Sequence, residues 1–215
     1  MAIADKKKYL SGIKKILKQK WPGNRTVNIV CHGHSVPSGY FKTPAVETFN
    51  SYPHLLHLAL KKKYPYAVIN VIVTAIGGEH SKFGEKRFKK DVLALKPDLV
   101  TIDYALNDRR LGLKAAKKYW SSMIRSAKRF GAKVILLSPT GDWTEDLRNK
   151  KTPLNLHGTQ VEKLAGAYGV GFADSLGIYR KHVKAGKNIR QLLSQINHPN
   201  TKGHKLVAKE LIKWF

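Results

Sequence analysis

The sequence predicts an α/β fold, with a parallel sheet held between two layers of helix, on three observations. Short apolar runs rich in Val and Ile alternate along the chain with longer amphipathic stretches. The short runs are bounded by Gly, Pro or Asp and read as strands buried on both faces. With 215 residues and 42% hydrophobic content, the chain can bury one substantial core but is short for two. Strand and helix taking turns implies right-handed crossovers, helices on both faces of the sheet, and so a three-layer α/β/α sandwich around a five-stranded sheet.

The elements follow in order. A basic helix is expected at about 4–20, where Tyr9, Leu10, Ile13, Ile16 and Leu17 recur at helical spacing and are expected to pack on the body. The first strand is VNIVCH at 27–32, and the helix after it covers 53–63, opened by Pro53. VINVIV at 68–73 is the second strand and 79–95 the next helix, with Glu79 well placed against the helix dipole. DLVTID at 98–103 precedes a helix over 112–130, which Gly131 ends. KVILLS at 133–138 and GVGFA at 169–173 are the last strands, around a helix at 156–168; Thr201 opens a final helix at 201–213. No repeat or low-complexity linker divides the chain, so one domain over 1–215 is expected.

Lys and Arg number 40 against 14 Asp and Glu, a net charge of +26. Such a field draws in polyanions, whether nucleic acid, anionic polysaccharide or an acidic membrane surface. The lysines are spread over the whole chain, and no RNA-binding motif with interleaved aromatics, helix-turn-helix or paired Cys/His finger accompanies them, which argues against a dedicated nucleic-acid site. The single cysteine, Cys31, excludes an internal disulfide and a cysteine-rich zinc site. No apolar run reaches 18 residues and no secretory signal is visible, which sets the expectation of a cytoplasmic protein, or of a secreted one if a leader has been removed.

In a sheet of this kind, ligands bind beyond the carboxyl ends of the strands. The turns there are HGHSVPSG after the first strand, TAIGGEHS after the second and DYALND after the third, with INHPNTKGH before the last helix. They bring Ser35, Gly77 and Gly78, Asn107 and His198 to one edge of the sheet. Singly, each has an ordinary explanation. Ser35 suits a turn or an N-cap, the glycines suit a tight strand-to-helix turn, Asn107-Asp108 suits a helix cap, and His198-Pro199-Asn200 suits a turn. Their convergence is what points to catalysis.

Four separated blocks resemble the SGNH hydrolases, the GDSL-type esterases and lipases. They are Gly33-His34-Ser35, AIGGEHS with Gly78 at the family's glycine, Ala105-Leu106-Asn107-Asp108, and His198-Pro199-Asn200 followed by Gly203-His204. The resemblance implies the flavodoxin-like fold of that family and a serine esterase or deacylase acting on short-chain O-acyl groups, with a small-molecule or carbohydrate ester as substrate and no cofactor. An anionic substrate would account for the charge as well. It implies Ser35 as nucleophile, His198 as base, and an oxyanion hole made by the Ser35 and Gly78 N–H groups with the Asn107 amide.

Three positions depart from the family pattern. His34 stands for Asp, Ala105 stands for Gly, and Gln195 stands where the family has the aspartate three residues before its histidine. A glutamine carbonyl can accept a hydrogen bond from the histidine Nδ1–H, but it cannot offset the imidazolium charge. A main-chain carbonyl or Asp174 are the other candidates for orienting His198. The second functional reading is therefore a catalytically weakened SGNH-like domain that binds a polyanion, an anionic carbohydrate or nucleic acid. Two further readings lose. GHSVP puts Pro37 where the Gly-x-Ser-x-Gly elbow needs glycine, and His32 and His34 lack any carboxylate pattern of a metal site, so no metal is expected. Tyr40 and Trp143 are candidate pocket residues.

Overall fold

The structure, a computed structural model, describes residues 2–215. Its sheet contains β1 (Val27–Gly33), β2 (Ile69–Val73), β3 (Leu99–Asp103), β4 (Lys133–Leu137) and β5 (Gly171–Ala173), all parallel, in the order β2-β1-β3-β4-β5. The five expected runs fall on these strands, with ends that differ by no more than two residues. The helices are α1 (Ser11–Leu17), a single turn α2 (Ser35–Ser38), α3 (Tyr52–Lys63), α4 (Ser81–Asp91), α5 (Leu113–Phe130), α6 (Pro153–Tyr168), α7 (Ser175–Lys184) and α8 (Thr201–Ile212). Among the described residues, no helix is long and apolar enough to cross a membrane.

Successive strand side chains point to opposite faces. Ile29 and Cys31 of β1 therefore join Leu56, Leu60, Tyr179 and Leu211 beneath α3, α7 and α8, whereas Val30 joins Ile102, Trp120 and Ile124 beneath α4 and α5. Both clusters are closed to solvent, as the apolar runs require. Because β1 lies between β2 and β3, the winding direction reverses there and the strand ends open a crevice. Gly33, the last residue of β1, is in register with Asp103, the last of β3.

The helix expected at 79–95 ends at Asp91, and the single turn α2 and a short hairpin over 193–199 were not expected; two further elements differ from expectation. At the N-terminus, Asp5 Oδ1 accepts the Lys7 and Lys8 N–H groups at 2.7 and 3.1 Å, which holds residues 6–10 in turns and confines the helix to Ser11–Leu17. The apolar stripe still packs as expected: Leu10, Ile13 and Leu17 are buried, and Tyr9 Oη accepts the Val134 N–H at 3.1 Å. The second is α7, which the apolar pattern missed because Gly177 weakens its first turn. Its signal was the N-cap: Asp174 Oδ1 accepts the Gly177 N–H at 2.9 Å.

Candidate active site

Ser35 is held at the crevice by a close approach of main chains. A Cβ on Gly33 would lie 2.5 Å from the Asp103 carbonyl oxygen, so only glycine lets β1 end against β3 here. The chain then turns into α2, whose first N–H groups are capped by a side chain: His34 Nδ1 accepts the Val36 N–H at 3.3 Å. Ser35 opens that turn and is 7% exposed.

His198 reaches the same point from the far end of the chain. A small antiparallel hairpin, β6 (Leu193–Gln195) and β7 (His198–Pro199), carries it, and Asn200 caps α8 just behind by accepting the Gly203 N–H at 3.1 Å. Ser35 Oγ and His198 Nε2 lie 2.9 Å apart across a sequence separation of 163 residues. Burial holds the His198 pKa below its ordinary value of 6.5, the Phe41 carbonyl opposes that, and the neighbouring His34 ring adds to it. The imidazole thus stays a neutral base into mildly acidic solution.

The far side of the ring is where the site departs from expectation. Nδ1 has two neighbours, the Phe41 carbonyl oxygen at 2.9 Å and the Gln195 amide nitrogen at 2.7 Å. The Gln195 carbonyl does not face the histidine, because Oε1 accepts the Thr43 N–H at 3.0 Å while Nε2 donates to Thr43 Oγ1 at 3.0 Å. The two neighbours demand opposite tautomers. Donation from Nδ1–H to Phe41 leaves a lone pair on Nε2 facing Ser35, the arrangement a base requires. Donation from Gln195 to a bare Nδ1 puts the ring proton on Nε2 and leaves no base. Phe41 is itself held by stacking on His204, with ring centroids 5.2 Å apart. Burial drives His204 down to about 3, so it stays neutral and accepts the Tyr52 N–H at 3.1 Å.

Asn107 is fixed through a second network. Its amide donates to the Glu79 carbonyl oxygen at 2.8 Å, which leaves the second amide hydrogen free. The Glu79 carboxylate is pinned in turn by the Arg87 guanidinium and by Tyr104 O–H, at 2.8 Å. Gly78 has φ +75°, a backbone shape that glycine adopts without strain, and no heavy atom stands near its missing Cβ. Its loop is tied to the end of β1 by the Ile76 N–H, which donates to the Gly33 carbonyl at 3.1 Å. Among the described residues, neither the Ser35 N–H nor the Gly78 N–H has a protein acceptor.

Ser35 and His198 are thus brought into contact, with Gln195 behind the histidine. Asp174 is not brought to the site: besides capping α7 it accepts Ser138 Oγ–H at 2.9 Å. Asp108 is buried, accepting the Ser81 N–H at 2.8 Å and the Trp120 indole N–H at 2.6 Å, and burial raises its pKa. The Tyr40 ring lies 6.2 Å from His198 and against Gly77, bordering the site. Trp143 sits beside the hairpin, its N–H on the Ile196 carbonyl at 3.0 Å and its ring under Arg190. Among the described residues no three His, Cys, Asp or Glu side chains cluster as metal ligands would. Sequence reasoning named a main-chain carbonyl among the groups that could orient His198 but not that it is Phe41's, and it did not identify Thr43, which carries no sequence signature.

The family model described as GDSL-like Lipase/Acylhydrolase matches residues 31–206. Among solved structures, a two-domain esterase active on acetylated mannans superposes with a TM-score of 0.75 at 21% identity, over 96% of this chain and 52% of its own. The chain therefore spans about half the length of that esterase, which has also been crystallised with mannopentaose. The acetylxylan esterase Axe2 from Geobacillus stearothermophilus superposes at 0.74 with 21% identity, over 87% of this chain and 93% of its own. No curated protein matches the sequence.

Proposed function

The chain belongs to the GDSL-like lipase/acylhydrolase family, and from that premise we propose that it is a serine esterase removing short O-acyl groups from a carbohydrate through an acyl-enzyme on Ser35. The observation that carries this reading is the 2.9 Å contact of Ser35 Oγ with His198 Nε2, with the Phe41 carbonyl behind Nδ1. The carbohydrate is suggested by the two neighbours, active on acetylated mannans and named for acetylxylan. The +26 charge suits a sugar that also carries acidic groups.

The steps follow from the geometry. His198 Nε2 takes the Ser35 proton as Oγ bonds to the ester carbonyl carbon. The oxyanion that forms meets the Ser35 and Gly78 N–H groups and the free amide hydrogen of Asn107. His198 then gives its proton to the leaving sugar oxygen. Water, deprotonated by the same nitrogen, attacks the acyl-enzyme, and the acid leaves as Ser35 regains its proton. Asn107→Ala is expected to lower kcat by about 10²–10³-fold with KM little changed, as loss of one oxyanion donor does.

Gln195 favours the second reading, a polyanion-binding domain with little turnover, because its amide nitrogen faces Nδ1 and supports the tautomer that leaves no base. Acetate release from acetylated manno- and xylo-oligosaccharides, followed by NMR beside Ser35→Ala, separates the two. The esterase reading expects release that the variant lacks. Absence of release above the variant, from these sugars and from short aryl esters alike, overturns it, and salt-sensitive binding of an acidic polysaccharide by the same inert protein supports the alternative.

A further inference from the structure

Resting on the esterase reading, we propose that the Glu79, Tyr104 and Arg87 side chains are positioning residues of the oxyanion hole, which act by fixing the Glu79 carbonyl that aims Asn107. The Asn107 amide donates to that main-chain oxygen at 2.8 Å. The loop carrying the oxygen is gripped on both sides. On one side the Ser81 N–H donates to Asp108 Oδ1 at 2.8 Å, the residue next to Asn107. On the other the Glu79 side chain, 8% exposed, accepts Arg87 Nε–H at 2.9 Å and Tyr104 O–H at 2.8 Å. Tyr104 stands three residues before Asn107 on the loop that leaves β3. Glu79 therefore holds that loop twice, once through its carbonyl and once through its carboxylate, and two points of hold fix orientation as well as distance.

Tyr104 is seated by two residues that the mechanism does not otherwise use. His32 Nε2 lies 3.1 Å from both the Gly84 carbonyl oxygen and Tyr104 Oη. A carbonyl only accepts, so the His32 ring proton is on Nε2, and Nδ1 accepts Thr74 O–H at 2.9 Å. Burial, with the Arg87 charge beside it, holds the His32 pKa down to about 4, so the ring is neutral. Tyr104 Oη thus receives hydrogens from His32 and from Arg87 Nη2, at 3.2 Å, and gives its own to Glu79. Gly84 makes room for the ring: a Cβ there would lie 2.3 Å from the Tyr104 oxygen. Arg87 is anchored again on α4, donating to Asp91 at 3.2 Å.

During acylation negative charge develops on the ester oxygen, and the second Asn107 amide hydrogen has to be in place before it does. An amide whose acceptor drifts turns about its own side-chain bonds and loses that aim. The carboxylate, guanidinium and phenol hold the acceptor still, so the donor needs no reorganisation as the charge forms. No proton moves within the assembly, and its effect on the rate passes through Asn107.

The test measures kcat and KM on an aryl acetate for wild type, Glu79→Ala and Tyr104→Phe, and for each change combined with Asn107→Ala. Glu79→Ala keeps the carbonyl and removes the grip, and Tyr104→Phe keeps the ring and removes the hydroxyl. Circular dichroism checks that each variant folds. The expected result is a kcat lowered roughly 10- to 100-fold in Glu79→Ala and roughly 3- to 10-fold in Tyr104→Phe, with KM unchanged within about twofold. In the Asn107→Ala background the same changes are expected to lower kcat less than about twofold further, because the donor they position is gone. A purely structural disturbance would carry its full loss into that background. A wild-type kcat in Glu79→Ala, or losses undiminished in Asn107→Ala, overturns this inference alone. Should Glu79→Ala not fold, Tyr104→Phe decides by the same two criteria. A wild-type protein that neither reacts with a fluorophosphonate nor hydrolyses the ester overturns the esterase reading and this one with it.

Discussion

Ser35→Ala and His198→Ala are each expected to lower kcat/KM on a short aryl ester by at least about 10³-fold, and the double variant to fall no further than the worse single one. The size follows from what each change removes. Without Oγ no acyl-enzyme forms, and what remains is water attacking an ester held by the oxyanion donors. Without His198 the hydroxyl keeps its proton, because the other nitrogen near it, His34 Nδ1, is 3.4 Å away and already accepts the Val36 N–H. Non-additivity is the sharper part of the expectation, since a nucleophile and its base fail as one unit. Steady-state kinetics on the three variants, with circular dichroism to confirm folding, measures it. A loss below tenfold in either single variant would mean that the 2.9 Å contact is an ordinary buried hydrogen bond.

Gln195→Glu is expected to raise kcat/KM, by roughly 10- to 100-fold. The change is isosteric, so one carboxylate oxygen can keep the Thr43 N–H that Oε1 now accepts at 3.0 Å. The other oxygen replaces the amide nitrogen 2.7 Å from Nδ1, turning a competing donor into an acceptor and selecting the Nδ1–H tautomer. In a serine protease the opposite change, aspartate to asparagine, costs about 10⁴ in rate. Only part of that is available here, because the Phe41 carbonyl already favours the same tautomer. The pH profile gives a second reading with a definite sign. In the wild type the His198 pKa lies below 6.5, so the acid limb falls below that value. A carboxylate beside the ring stabilises the imidazolium, raises that pKa and moves the limb upward. An unchanged rate together with an unmoved limb would mean that Gln195 does not govern the tautomer.

Much of this fold was legible in the residues because buried strands and turn glycines have local causes. VNIVCH and DLVTID announce strands covered on both faces, and each ends in a turn whose residues meet at the β1/β3 crevice. The same reasoning erred where a side chain overrode the pattern, as Asp5 did in stopping the first helix short and Gly177 in hiding α7. At the site, Ser35 and His198 were visible as residue types at block positions. A main-chain carbonyl stood among the candidates for orienting the histidine, but which carbonyl was not visible. The Phe41 carbonyl is main chain, and the outward turn of Gln195 is set by Thr43, 152 residues away, so neither has a neighbour in sequence to betray it. Asp174, the other alternative to Gln195 drawn from sequence beside a main-chain carbonyl, was better read as the N-cap it is.

The central claim is an activated Ser35, and the most direct measurement is peptide-level mass spectrometry after treatment with a fluorophosphonate, on wild type, Ser35→Ala and His198→Ala. The expected result is stoichiometric adduct on the peptide carrying Ser35 in the wild type and none in either variant. An unlabelled wild type, or an adduct that persists in His198→Ala at the wild-type rate, would contradict it.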